Sequence, residues 1–130
     1  MSQYPPALEP ELVGKYPAMV KSGAGYFFDD VLEYRVWCHP ERGASDEFEG
    51  EDYYYAFETY EEALCFSGAT EGAEEPLVLI RQHEWINEPQ PNLYIHEKGE
   101  RIAEWQVAWL SGSKRLPGAI EEFIRERTNG

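Results

Sequence analysis

The sequence predicts an α+β fold: a single domain spanning 1–130, with a mainly antiparallel sheet of about five strands, two principal helices and a proline-rich arm over residues 1–30. Three observations lead there. Residues 31–38 alternate in polarity as a strand does; two later segments carry helix-start signals; and the strand-like segments of the second half are joined by turns too short for parallel crossovers.

In chain order, prolines at 5, 6, 10 and 17 restrict the first thirty residues to short helical turns, such as Glu11 to Lys15, and suggest an arm that wraps the body. Lys21 to Tyr26, KSGAGY, is a glycine-rich turn with no strand before it and no helix after it, which argues against a phosphate cradle. Leu32, Tyr34, Val36 and Cys38 then fall on one strand face, with Glu33, Arg35 and Trp37 on the other. His39-Pro40 ends that strand, because proline has no N–H for the ladder, and Gly43 turns the chain away. The polar, acidic stretch Glu41 to Asp52 reads as a loop able to act as a lid.

Tyr53 to Phe57 is a short aromatic strand. Thr59 and Glu62 have capping-box spacing, so a helix starts there, with Tyr60, Ala63, Leu64 and Ser67 on one face and Gly68 as its stop. Leu77 to Ile80 is apolar throughout, as a central strand should be, and alternation resumes with Arg81, His83 and Trp85 on one side. Asn87 to Asn92 predicts a turn, Leu93 to Glu97 a strand, and Lys98-Gly99 a hairpin turn into a last strand, Arg101 to Val107. Arg101 to Leu110 also fits a helical period. Pro117 opens a final helix with an Ile120, Phe123, Ile124 stripe.

The 130 residues carry 25 acidic and 11 basic side chains, a net charge of −14, which disfavours nucleic acid and anionic membrane as partners. Residues 41–75 hold twelve acids and a single base, Arg42, which amounts to −11; a solvated rim or a docking face for a basic protein or a cationic small molecule both follow from that. Neither a basic, apolar leader nor a run of about 20 apolar residues occurs, so a soluble, cytoplasmic protein is expected. Cys38 and Cys65 read as reduced thiols, the second as a packing residue.

Cys38-His39 invites a thiolate–imidazole reading, yet strand neighbours point to opposite faces. His39, His83, His96, Cys38 and Glu41 show no CxxC or HExxH spacing, so no metal site is predicted, and nothing identifies a cofactor. Compositionally richer is the pair of runs Arg35, Trp37, His39 and Arg81, His83, Trp85. On one sheet face they would form a cationic and aromatic binding surface, with Arg35, Trp37, Arg81 and Trp85 as its contacts. The favoured function is therefore a binding or protein-interaction module, with a second subunit of a homodimer as one way to cover that face. The alternative is an acyltransferase-like small-molecule enzyme with His39 or His83 as base and Cys38 or Glu41 assisting.

RVWCHPERGA at 35–44, EDYYYAF at 51–57 and GERIAEWQVAWLSGSKR at 99–115 resemble a family of small uncharacterised bacterial proteins that is loosely linked to the GCN5-like acetyltransferases. The acyl-CoA loop of those enzymes needs Arg or Gln three positions before its first glycine. Here Val20 precedes Gly23 and Gly25, so no catalytic role is implied for any residue of this chain.

Overall fold

The computed structural model describes residues 4–18 and 26–128. Strands β1 (Asp30–Cys38), β2 (Tyr53–Phe57), β3 (Leu77–Gln90) and β4 (Leu93–Gln106) form one antiparallel sheet in the order β2-β1-β3-β4, with helices α1 (Tyr60–Ala69) and α2 (Ala119–Thr128). The α+β, antiparallel expectation holds, with four strands in place of about five. Segments 93–97 and 101–107 belong to one strand because Lys98-Gly99 is a bulge and not a turn. Gln82 faces Arg101 while Glu84 faces Lys98, and Gly99 takes up the extra residue at φ 135°. The true hairpin turn is Pro91-Asn92, where Asn92 adopts φ 68°. Arg101 to Gln106 is strand and not helix, and the segment ends in a 3-10 turn over Val107–Leu110.

The apolar core lies on the face carrying Tyr34, Val36, Val78, Ile80, Ala103 and Trp105. Tyr34 pairs with Val78 and Val78 with Trp105, so these side chains stack straight across three strands. β3 is central, as its apolar start predicts, and Val78, Leu79 and Ile80 have no exposed surface. A bulge at Leu32 in β1 and those in the β3–β4 ladder add twist, which curls the sheet.

α1 starts at its predicted cap: the Glu62 N–H donates to Thr59 Oγ1 at 3.2 Å, while the Thr59 hydroxyl donates to the Glu62 carboxylate at 3.0 Å. Its packing face is Tyr60, Ala63 and Phe66, with Leu64 and Cys65 exposed, so both of those expectations are corrected. Gly68 sits inside the helix; the chain turns after it at Gly72, φ 80°. α2 buries Ile120 and sets Phe123 against Tyr26, Phe27 and Tyr94.

The arm makes a 3-10 turn at Pro10–Leu12 and bonds both sheet faces. On the core side Tyr34 Oη donates to the Pro5 carbonyl at 2.5 Å; on the other, the Gly14 N–H donates to Glu33 at 2.8 Å. The glycine-rich segment 21–25 lies outside the described residues. Among the described residues no helix is long and apolar enough to cross a membrane.

Candidate functional site

The densest convergence of chemistry lies where β1 ends. Proline at 40 stops the ladder, the 3-10 turn Pro40–Arg42 follows, and Gly43 at φ 111° reverses the chain. The reversal is locked from both sides. His39 N–H donates to the Gly72 carbonyl at 2.9 Å, Ala44 N–H returns to the His39 carbonyl at 3.2 Å, and Glu74 N–H reaches the Trp37 carbonyl at 2.8 Å. Gly72 is the close-approach residue here: a Cβ at that position would stand 2.3 Å from the Ala44 nitrogen.

This packing leaves His39 only 8% exposed, with a carboxylate at each ring nitrogen. Nε2 lies 2.5 Å from Glu74 Oε2 and Nδ1 lies 2.9 Å from Asp52 Oδ1. The hydrogen bond to Glu74 raises the imidazole above its ordinary pKa against the opposing effect of burial, with the Asp52 charge adding to the rise. Glu41 completes the group: one ligating atom each of His39, Glu41 and Asp52 lies within 4.8 Å of the others. Sequence reasoning singled out His39 and Glu41 but not Asp52 or Glu74, whose approach depends on the fold of two loops.

Cys38 does not join them. It is fully buried on the core face, its Sγ lies 3.8 Å from the Val36 carbonyl, and burial pushes its thiol pKa up, the opposite of what an attacking thiolate needs. Strand alternation accounts for this, since Cys38 and His39 leave β1 in different directions.

The two cation-and-ring runs do share the face opposite the core, but at opposite ends. Arg35 pairs with Leu77 and Asp30 with Arg81, so about ten residue steps separate Trp37 from Trp85 along the strands, a path of roughly 33 Å at 3.3 Å per step. His39 and His83 are separated in the same sense, and neither is among the residues lining the cleft at α1 or the one beneath the arm. The Arg35 end is also covered. Arg35 is buried, its Nε bonds Glu33 at 2.7 Å, Nη1 bonds Glu104 at 3.1 Å, and Nη2 bonds the Pro17 carbonyl of the arm at 2.6 Å. Its guanidinium also lies 4.4 Å from the Tyr54 ring centre. Trp37 is half-buried, donates Nε1–H to the same Glu104 oxygen at 3.0 Å and packs on Tyr54.

At the far end, Arg81 pairs with Asp30 at 3.0 Å and exposed His83 stands 3.7 Å from that carboxylate. Trp85 is half-buried beneath Arg101, 4.5 Å from the ring centre. Nearby Asp29 is a buried hub, accepting from Arg115 Nε at 2.7 Å and the His83 N–H at 2.6 Å, while its carbonyl accepts from Lys114.

A second feature, which composition alone hid, runs along edge strand β2. Phe48, Tyr53, Tyr55 and Phe66 form a chain of ring contacts at 5.2, 5.7 and 5.2 Å, with Phe48 and Tyr55 about half exposed. Apart from this strip, a cleft of about 500 Å³ between α1, the start of β3 and the end of β4 is lined by Tyr4, Tyr60, Leu64, Glu74 and Gln106. No protein-family model, curated protein or solved structure matches the chain.

Proposed function

We propose that the protein is a binding module whose β2 edge and acidic loop take up an extended lysine- or arginine-rich segment of a partner. The contact surface expected from the sequence, around Arg35 and Trp37, is occupied by the chain's own arm, so the binding reading rests on the β2 edge. The observation that carries it is the aromatic strip from Phe48 to Phe66, with Phe48 and Tyr55 exposed, set inside the segment that holds −11 charge. An edge strand offers unpaired backbone groups to an incoming strand, ring faces attract cations, and surrounding carboxylates select for positive charge.

The test is a titration with a short Lys/Arg-rich peptide and with a neutral peptide of the same length. The basic peptide should bind more tightly, weaken as ionic strength rises to about 0.5 M, and lose on the order of tenfold in affinity in the Phe48→Ala/Tyr55→Ala variant, as removal of two anchor rings implies. Equal binding of both peptides, or an unchanged affinity in the variant, would rule the reading out.

A further inference from the structure

We propose that His39 Nδ1, with one carboxylate oxygen each from Asp52 and Glu41, holds a divalent transition-metal ion of the Zn²⁺ type at the foot of the acidic loop. A neutral imidazole has one N–H and one lone pair. Glu74, 2.5 Å from Nε2, takes that N–H, so the lone pair is on Nδ1. Yet Nδ1 is buried and without a hydrogen-bond partner, although Asp52 Oδ1 stands 2.9 Å away. A positive centre belongs between Nδ1 and that carboxylate: a second ring proton supplies one when the imidazole is charged, and a metal ion supplies it when the ring is neutral.

A metal ion satisfies every one of these groups. Carboxylate, histidine and metal in line is the common arrangement by which an outer carboxylate fixes the tautomer of a ligating histidine, and Glu74 occupies that outer place. One imidazole nitrogen and two carboxylate oxygens form a mixed donor set suited to zinc and its neighbours in the first transition row, and unlike the all-oxygen cages of calcium and magnesium. Two carboxylates and a neutral ring carry −2, matched by a divalent ion. Zinc bonds of about 2.0–2.1 Å place tetrahedral ligand atoms roughly 3.3–3.5 Å apart. The widest of the present separations, up to 4.8 Å, therefore closes by about 1.5 Å, the 2.9 Å between Nδ1 and Asp52 opens slightly, and both carboxylates sit on exposed side chains free to turn. The fourth position is left to water or a ligand.

Chelator-stripped full-length protein is titrated with Zn²⁺ by calorimetry, and the stoichiometry is read by native mass spectrometry. One ion per chain is expected, with affinity falling at least tenfold in Asp52→Asn and in Glu41→Gln, and uptake lost in His39→Gln. His83→Gln, at the other end of the sheet, should bind as the parent does. Ring nitrogen NMR supplies a readout independent of His39 substitution: Zn²⁺ should shift His39 Nδ1 and leave Nε2 protonated. Circular dichroism of each variant separates lost ligation from lost fold. Absence of zinc uptake by the folded parent, uptake undiminished in Glu41→Gln and His39→Gln, or a shift confined to Nε2 would each overturn the proposal.

Discussion

Replacing Arg35 with methionine keeps most of the side-chain stem and removes the charge that ties the arm to the sheet. Glu33 is then a carboxylate with no exposed surface whose remaining hydrogen bond is from the Gly14 N–H at 2.8 Å. Breaking one side of a buried ion pair costs about 3–5 kcal/mol, because the orphaned charge stays out of water. With an unfolding entropy of about 2.1 cal/mol/K per residue, a chain of this length loses roughly 0.27 kcal/mol per degree, so the midpoint should fall by about 11–18 °C. Thermal unfolding followed by circular dichroism measures this directly. The paired change Glu33→Leu/Arg35→Met removes both charges and should recover most of the loss, since buried pairs exchanged for apolar residues are often neutral. A single variant that loses under about 1 kcal/mol, or a double variant no more stable than the single, would refute the buried-pair reasoning.

Two further outcomes follow from burial and charge. Burial by itself would raise the Asp29 pKa, but the Arg115 guanidinium and the His83 N–H overcome this and hold the carboxyl below its ordinary range. A depressed carboxyl contributes stability above the unfolded value of about 3.9 and loses it as pH falls through the folded value. Asp29→Asn should therefore flatten the decline in stability below about pH 4, and an unchanged acid limb in urea titrations would count against it. Of the two free thiols, Cys65 is exposed and Cys38 buried; a thiol reagent should modify one cysteine per native chain quickly and the second only on unfolding. Rapid modification of both would show that the β1 end opens readily.

Local rules carried the sequence reading where local chemistry decides structure. The break at His39-Pro40, the Thr59 cap and the central place of Leu77 to Ile80 each depend on a few adjacent residues, and each is found. The Lys98-Gly99 reading failed because a glycine at positive φ serves a hairpin turn and a bulge equally well; the choice belongs to the register with β3, set some twenty residues away. Arg35 failed as a surface residue for a similar reason. Alternation places it opposite the apolar core face, but whether that second face meets water depends on the arm, whose Pro17 carbonyl accepts from the guanidinium across eighteen positions. Asp52 and Glu74 were invisible as partners of His39 because thirteen and thirty-five positions separate them from it and only the Gly43 and Gly72 reversals bring them in.

The distribution of charge gives that corner its character. Arg35, Arg81 and Arg115 direct their charges to Glu33, Glu104, Asp30, Glu9, Asp29 and Glu84, all outside residues 41–75. Within that segment Asp52 and Glu74 meet a single imidazole, which carries at most one positive charge against two carboxylates. The fold thus uses its strongest cations to fasten the sheet to the arm and to the C-terminal loop, and leaves the β1 end and the β2 edge with a surplus of negative charge. A field of that sign beside exposed rings favours cationic partners of either size, a metal ion at His39 or a basic chain along Tyr55. The two are separable because the groups that ligate are carboxylates around a buried ring nitrogen, whereas those that would hold a peptide are aromatic faces on the strand edge. Phe48→Ala/Tyr55→Ala should consequently leave zinc stoichiometry at one per chain, while Asp52→Asn should leave the rings in place.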